Sequence, residues 1–494
     1  MNVRTRLSIM AAFAAAMSIV ACGDDDPVGP IVVPPGDADI TLDILADRTL
    51  HAETTYTIKG FVHVGNGATL TIEAGTRIVG DFATIGSSLF VLRGAKINAV
   101  GTADKPIVFT SSQPAGSRAP GDWGGLIIVG NGVINRVVTG GLEIEGTGTV
   151  TGTASGTNYR VTYDGGVTNT DNSGELKYVR VEYAGYAPSL NNELNSFTFG
   201  AVGSGTKLSY LQSMAGLDDS FEFFGGAVDA DHLVSYESGD DHFDMSEGYV
   251  GRLQHLVALQ STQLTPRNGA GTPSSDPQGI ENDGCSGTGC TNGFDSSPLN
   301  VPLVANFTLV GTNSTTTSGS SGGIGMMLRR GTGGYYVNGI LARWPRAGIS
   351  IRDAETYARA GGTDTPDPAT ADLIVRNIVH VETPTMFQTG GSSVQNGFDA
   401  TANALTPSAS LATAVFTGFP ATFTNATTAV ALDWTPAAGA GGSSGGLTTF
   451  TGKIATKAAG ASPTGNVFSG TAYMGAAAPG GDKWWQGWTV YARN

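Results

Sequence analysis

The chain has 494 residues, with 42 acidic against 27 basic side chains, a formal charge of −15, 72 glycines and only 14% charged residues. So acidic a chain concentrates no basic face for phosphate, which excludes nucleic acid as a partner and makes cations the more natural guests. Abundant glycine with few charges also argues against helical packing and for turn-rich β structure.

In chain order, Arg4 and Arg6 precede an apolar run from Leu7 to Val20 that ends in Ile19-Val20-Ala21-Cys22. This is a signal-peptide layout, too short for a comfortable membrane span, and the small residue before Cys22 suits a lipoprotein peptidase. Residues 1–21 are therefore expected to be removed and Cys22 acylated, with residues 22–38 a flexible tether to the lipid bilayer. The expected address is the outer membrane or cell surface. A plain secretory signal with an incidental cysteine is the alternative.

From residue 39 to about 400, short β-branched runs alternate with glycine, as in Thr69-Leu70-Thr71-Ile72-Glu73-Ala74-Gly75, and no helical period is sustained. The segment Leu217-Asp218-Asp219-Ser220-Phe221-Glu222-Phe223 recurs 22 residues later as Gly239-Asp240-Asp241-His242-Phe243-Asp244-Met245. Tyr210-Leu211 and His232-Leu233, and Gly226 and Gly248, keep the same offset. A period near 22 signals a solenoid, in which stacking sets Phe221 over Phe243 at the inter-strand spacing of about 4.8 Å. Leucine-rich repeats need a leucine-asparagine consensus that is absent, and propeller blades are about twice as long. The predicted fold is all-β, a right-handed parallel β-helix.

Polar excursions at about 112–122, 262–297 and 312–323 are predicted to loop outside the coil stack. In the second, Cys285 and Cys290 are expected to form a disulfide, as the pair left beside Cys22 in an exported chain. Residues 401–494 read as a continuation or cap of the β-helix with Ala/Thr/Gly-rich insertions. The closing Trp484-Trp485-Gln486-Gly487-Trp488 is expected to cap the open end of the stack, with glycan stacking as the other reading.

Gly60-Phe61-Val62-His63-Val64, Lys105-Pro106-Ile107-Val108-Phe109, Gly121-Asp122-Trp123-Gly124-Gly125, Asn191-Asn192-Glu193-Leu194-Asn195, Asp218 to Gly226, Gly279-Ile280-Glu281-Asn282-Asp283 and Trp485 to Thr489 carry a likeness. With these segments the chain resembles a family of bacterial exported β-helix proteins. The resemblance implies a pectate-lyase-like fold and an outer-membrane or cell-surface address, and it implies no catalytic residue.

Between Asp218 and Glu247 there are ten acids and no lysine or arginine. Neighbouring carboxylates a few ångströms apart repel by about 1 kcal/mol per pair in water and several times that when partly dehydrated. Calcium, with its six to eight hard oxygen ligands, is the natural counter-charge. The ligands expected are Asp218, Asp219, Glu222, Asp240, Asp241, Asp244, Glu281 and Asp283. Solvated turn acids are the alternative. Strand alternation turns Phe221 and Phe243 inward, so Glu222 and Asp244 should face outward on a sheet surface.

Catalysis by such a row would need a base. The Gly-His-Gly and Arg-Ile-Lys signatures of β-helix polygalacturonases are absent, and Arg252, Arg329, Arg330 and Arg352 read as salt-bridge partners from later coils. His232, His242 and His255 read as polar surface residues. Three functions remain open: a calcium-supported surface protein for binding, adhesion or envelope structure that presents an acidic face to glycans or cells; a polysaccharide lyase or glycoside hydrolase on acidic glycans; and a purely architectural spacer.

Overall fold

The computed structural model describes residues 36–148, 160–188, 192–316, 319–390, 395–410, 412–416, 419 and 432–491. The signal segment and Cys22 lie outside the described residues. From Gly125–Val129 to Leu373–Val381 the strands alternate between two sheets, and every strand pairing within them is parallel. A nine-stranded sheet runs from Phe61–Val64 to Ala347–Ile351, and a fifteen-stranded sheet from Gly36–Ile40 to Leu405–Ser408. Parallel neighbours require a crossover, and here the crossover is the coil itself. The register sets Phe221 opposite Phe243 and Glu222 opposite Asp244, as the repeat predicts. Rings of Phe197, Phe221 and Phe243 stack at 5.0 and 5.4 Å and are followed on the next rungs by Ile280 and Met326. This column is the core of a right-handed parallel β-helix, each buried side chain contributing roughly 1.5–3 kcal/mol.

The long-sheet strands bend at single residues. Tyr178, Tyr210, His232, His255, Asn306, Asn338 and Asn377 have φ between 51° and 63° and fall out of the ladder at equivalent places on successive coils. Left-handed backbone costs an L-residue about 1–2 kcal/mol, and ring stacking offsets part of it at the first four. Tyr178, Tyr210, His232 and His255 form a column with centroids 4.5, 4.4 and 4.8 Å apart. The expectation of polar surface histidines is therefore corrected. His232 and His255 belong to a partly buried aromatic column, while His242 lies inside the coil with Nδ1 2.5 Å from the Ser235 hydroxyl.

At Asn338 the bend does a second job, since Oδ1 accepts the Leu447 N–H at 2.6 Å and Nδ2 donates to the Leu447 carbonyl at 3.3 Å. Asn338→Ala should lower stability by about 2 kcal/mol, from the lost hydrogen bonds and the left-handed backbone together. Asn338→Gly, which relieves the backbone, should cost visibly less in denaturant titrations.

After Leu405–Ser408 the chain turns back, and residues 442–491 lie along the flank of the long sheet. Asn377 bonds Gly445, Gln254 bonds Ser469, Asp231 bonds Thr464, Gln212 bonds Val490 and Arg180 bonds Trp488. Together with Phe416, Phe419, Leu432 and Trp434 the segment packs in one cluster with an apolar strip that includes Met214, Val234, Tyr236, Val257, Leu259 and Ile340. Trp485 and Trp488 are 1% and 0% exposed, and Trp488 meets the rings of Tyr178 and Tyr210 edge-on at 5.6 and 6.2 Å. The expected cap is thus a flank cover. Burial of these two indoles also removes the faces that glycan stacking would use. The reason is strand alternation: outward positions on this flank are themselves apolar and need covering.

The excursions differ from expectation too. The stretch 262–297 is two loops either side of the strand Ile280–Asp283, and Trp123, beside the first excursion, is fully buried with its indole N–H on the Glu182 carbonyl at 2.8 Å. A further insertion, an arm between Gly125–Val129 and Gly174–Glu182, lays Leu142, Ile144, Val161 and Tyr163 over Phe61, Phe90 and Ile127 on the outside of the short sheet.

Candidate metal centre

One outward row on the short sheet reads, rung by rung, His63, Phe90, Ile127, Thr198, Glu222, Asp244, Glu281, Met327, Ser350. Its apolar first part lies under the arm, and its acids begin where that cover ends. The acids point away from the core as alternation requires, yet they are not on an open face. Loops bearing Glu145 and Glu193, together with Thr272–Ser275, wall them into a cleft of about 430 Å³. Asp219, Glu222, Asp241 and Glu281 are no more than 6% exposed.

Beside this row runs a ladder of side chain to backbone bonds. Asn195 Oδ1 accepts the Asp219 N–H at 3.0 Å, Asp219 Oδ1 the Asp241 N–H at 2.8 Å, Asp241 Oδ1 the Gln278 N–H, and Gln278 Oε1 the Ile324 N–H at 2.9 Å. Every rung needs an acceptor here, and a neutral amide serves at either end of the ladder. The two middle rungs use carboxylates. Asn195 also donates from Nδ2 to Glu222.

Among the described residues the acids converge in three groups whose ligand atoms lie within 4.8 Å of one another: Asp218, Asp219 and Asp240; Asp219, Glu222 and Asp244; Asp241, Asp244 and Glu281. Burial first, and repulsion from neighbours second, pushes Asp218, Asp219, Glu222, Asp241, Asp244 and Glu281 well above the usual carboxylate range. Burial lifts Asp240 to about 7 against a hydrogen bond from Ser274 that lowers it, and burial followed by repulsion from Glu193 lifts Glu145 to about 8. Oδ1 of Asp240 and Oδ1 of Asp244 are sealed from solvent without a hydrogen-bond partner. A buried polar atom left so costs about 1–3 kcal/mol, and a cation would relieve it.

That geometry sits on a coil stack whose sequence, at residues 42–418, matches the family model for a pectate-lyase like beta helix domain. The chain belongs to that family. No curated protein and no solved structure matches it. Family membership gives the pectate-lyase-like β-helix its scaffold, and the chemistry has to be argued from the residues.

Of the eight ligands expected from the sequence of this pectate-lyase-like β-helix, seven fall in the three groups. Asp283 does not. It receives Arg329 Nε at 2.7 Å and Arg330 Nη1, and Arg329 also binds Glu281. Burial alone would lower the Arg329 pKa, but the Asp283 and Glu281 carboxylates raise it, so the guanidinium stays charged. Arg352 bonds the Ser350 hydroxyl at 2.8 Å, and Arg252 pairs with Asp229 under the tail. A second lobe of about 240 Å³ shares Glu222 and Asp244 with the first and is lined by Arg136 and Arg330.

Sequence reasoning missed Glu145, Glu193 and the trio Arg136, Glu247 and Tyr163, in which Glu247 takes both Arg136 and the Tyr163 hydroxyl, the latter at 2.6 Å. The Cys285–Cys290 disulfide is formed. Its loop braces the arm through Val137 N–H to Gly289 and Arg136 Nε to Thr288. The Ser235–His242 contact is no nucleophile, because both residues are buried inside the coil and burial holds His242 down at about 3. Among the described residues no helix is long and apolar enough to cross a membrane.

Proposed function

We propose that the protein is an exported, lipid-anchored surface β-helix whose acidic cleft holds calcium and through it engages an anionic polymer such as an acidic glycan, in binding, adhesion or envelope structure. One observation carries this reading. Asn195 and Gln278 do the ladder's work with neutral amides, so Asp219 and Asp241 bring charge that the coil does not need. Calcium accepts six to eight hard oxygens in flexible geometry, which suits a row of carboxylates. Its charge lets a polyanion approach a cleft that would otherwise repel it. Membrane attachment through Cys22 completes the proposal.

The enzyme reading, a polysaccharide lyase or hydrolase, needs a base free to take a proton. Arg329 and Arg330 are the guanidiniums bound to the acid row, and both are engaged with its carboxylates, which favours binding over cleavage. The test is retention of the full chain on immobilised polyuronate. Retention in millimolar calcium, release by chelator and no new unsaturated chain ends are expected. Retention indifferent to calcium overturns the metal role, and unsaturated ends turn the protein into a lyase.

A further inference from the structure

Resting on the calcium reading, we infer that the cleft takes three cations in a bent row, with Asp219 and Asp244 each bridging two of them. The three acid groups are not alternatives for one ion. Asp218, Asp219 and Asp240 form one; Asp219, Glu222 and Asp244 form the next, and both lie between the same two rungs; Asp241, Asp244 and Glu281 form the third, one rung further on. Only Asp219 and Asp244 belong to two groups. A carboxylate has two oxygens and about four lone-pair sites, so it can bridge and still hold a ladder N–H.

Charge argues against a single ion. The three groups contain seven different carboxylates, and Arg329 is bound at the Glu281 end. Three dications offset six of the seven negative charges, while Arg329 is shared with Asp283 and Glu145 and Glu193 add further acid to the same cleft. A single dication would offset only two of them and leave five facing one shared guanidinium, where each close pair repels by several kcal/mol. An independent sign of missing ligands is that the sealed, unpartnered Oδ1 atoms belong to Asp240 and Asp244, one in the first group and one in the bridge. Room is available, since the two lobes of about 430 and 240 Å³ meet at Glu222 and Asp244.

The experiment is a calcium count on the full chain by isothermal titration and native mass spectrometry, with Asp218→Asn and Asp244→Asn as variants. Three ions per chain are expected in the parent. Asp218→Asn should bind two, losing only the first position, and Asp244→Asn should bind one, losing the two positions it joins. Both variants relieve repulsion, and their melting in chelator confirms that they are folded. A parent count of one, or equal losses in the two variants, overturns the row and leaves calcium binding standing. A count of zero overturns both.

Discussion

Millimolar calcium should raise the melting temperature of this protein, and chelator should reverse the shift. An ion present at a hundred times its dissociation constant stabilises the folded state by about 2.7 kcal/mol. For a chain this long that is about 3 °C per ion. Without calcium, burial raises the carboxylate pKa values, so the folded state favours the protonated forms. Stability in chelator is then greatest near pH 4, where the unfolded carboxylates begin to ionise, and is lost as pH climbs through about 7 for Asp240 and about 8 for Glu145. Calcium should flatten that loss. The sharpest test pairs Asp219→Asn with Asp241→Asn, which keeps both ladder acceptors in the form Asn195 already uses. The double variant should melt above the parent in chelator and respond little to calcium. If it melts below the parent, the two charges serve the coil and not a cation.

Removing residues 442–494 should leave the coils intact in far-UV circular dichroism but make the protein self-associate. With Phe416, Phe419, Leu432 and Trp434 the tail packs in one cluster over Met214, Val234, Tyr236, Val257, Leu259 and Ile340, and any part of that apolar strip laid bare on a sheet flank is an association surface. Light scattering would report it. Trp488→Ala is the milder version. Its indole is fully buried and donates to the Trp484 carbonyl at 2.8 Å, so about 3–5 kcal/mol of stability should go. A truncated chain that stays monomeric and equally stable would reduce the tail to decoration. The family match stops at residue 418, so this cover lies outside the matched part.

The coil was legible because its period is written in large residues: Phe221 and Phe243 share a rung position, and the acids beside them share the opposite face. The ladder was legible too, though unread, since Asn195, Asp219, Asp241 and Gln278 each stand two residues before Phe197, Phe221, Phe243 and Ile280. Glu145 and Glu193 were not legible. They reach the cleft from loops with no period of their own, and nothing local marks an acid that will be carried over a distant rung. The pairing of Asp283 with Arg329 was hidden by the insertion between them, although they are direct neighbours in register. The tail's path was hidden because its Ala, Thr and Gly residues carry no alternation, while the signal for it lay elsewhere, in the outward apolar residues of the long sheet.

The bond from Arg180 to Trp488 joins residues 308 apart, and it lies on one of the earlier coils. The early coils can therefore stack without residue 488, but the flank they share stays bare until the last residues of the chain dock on it.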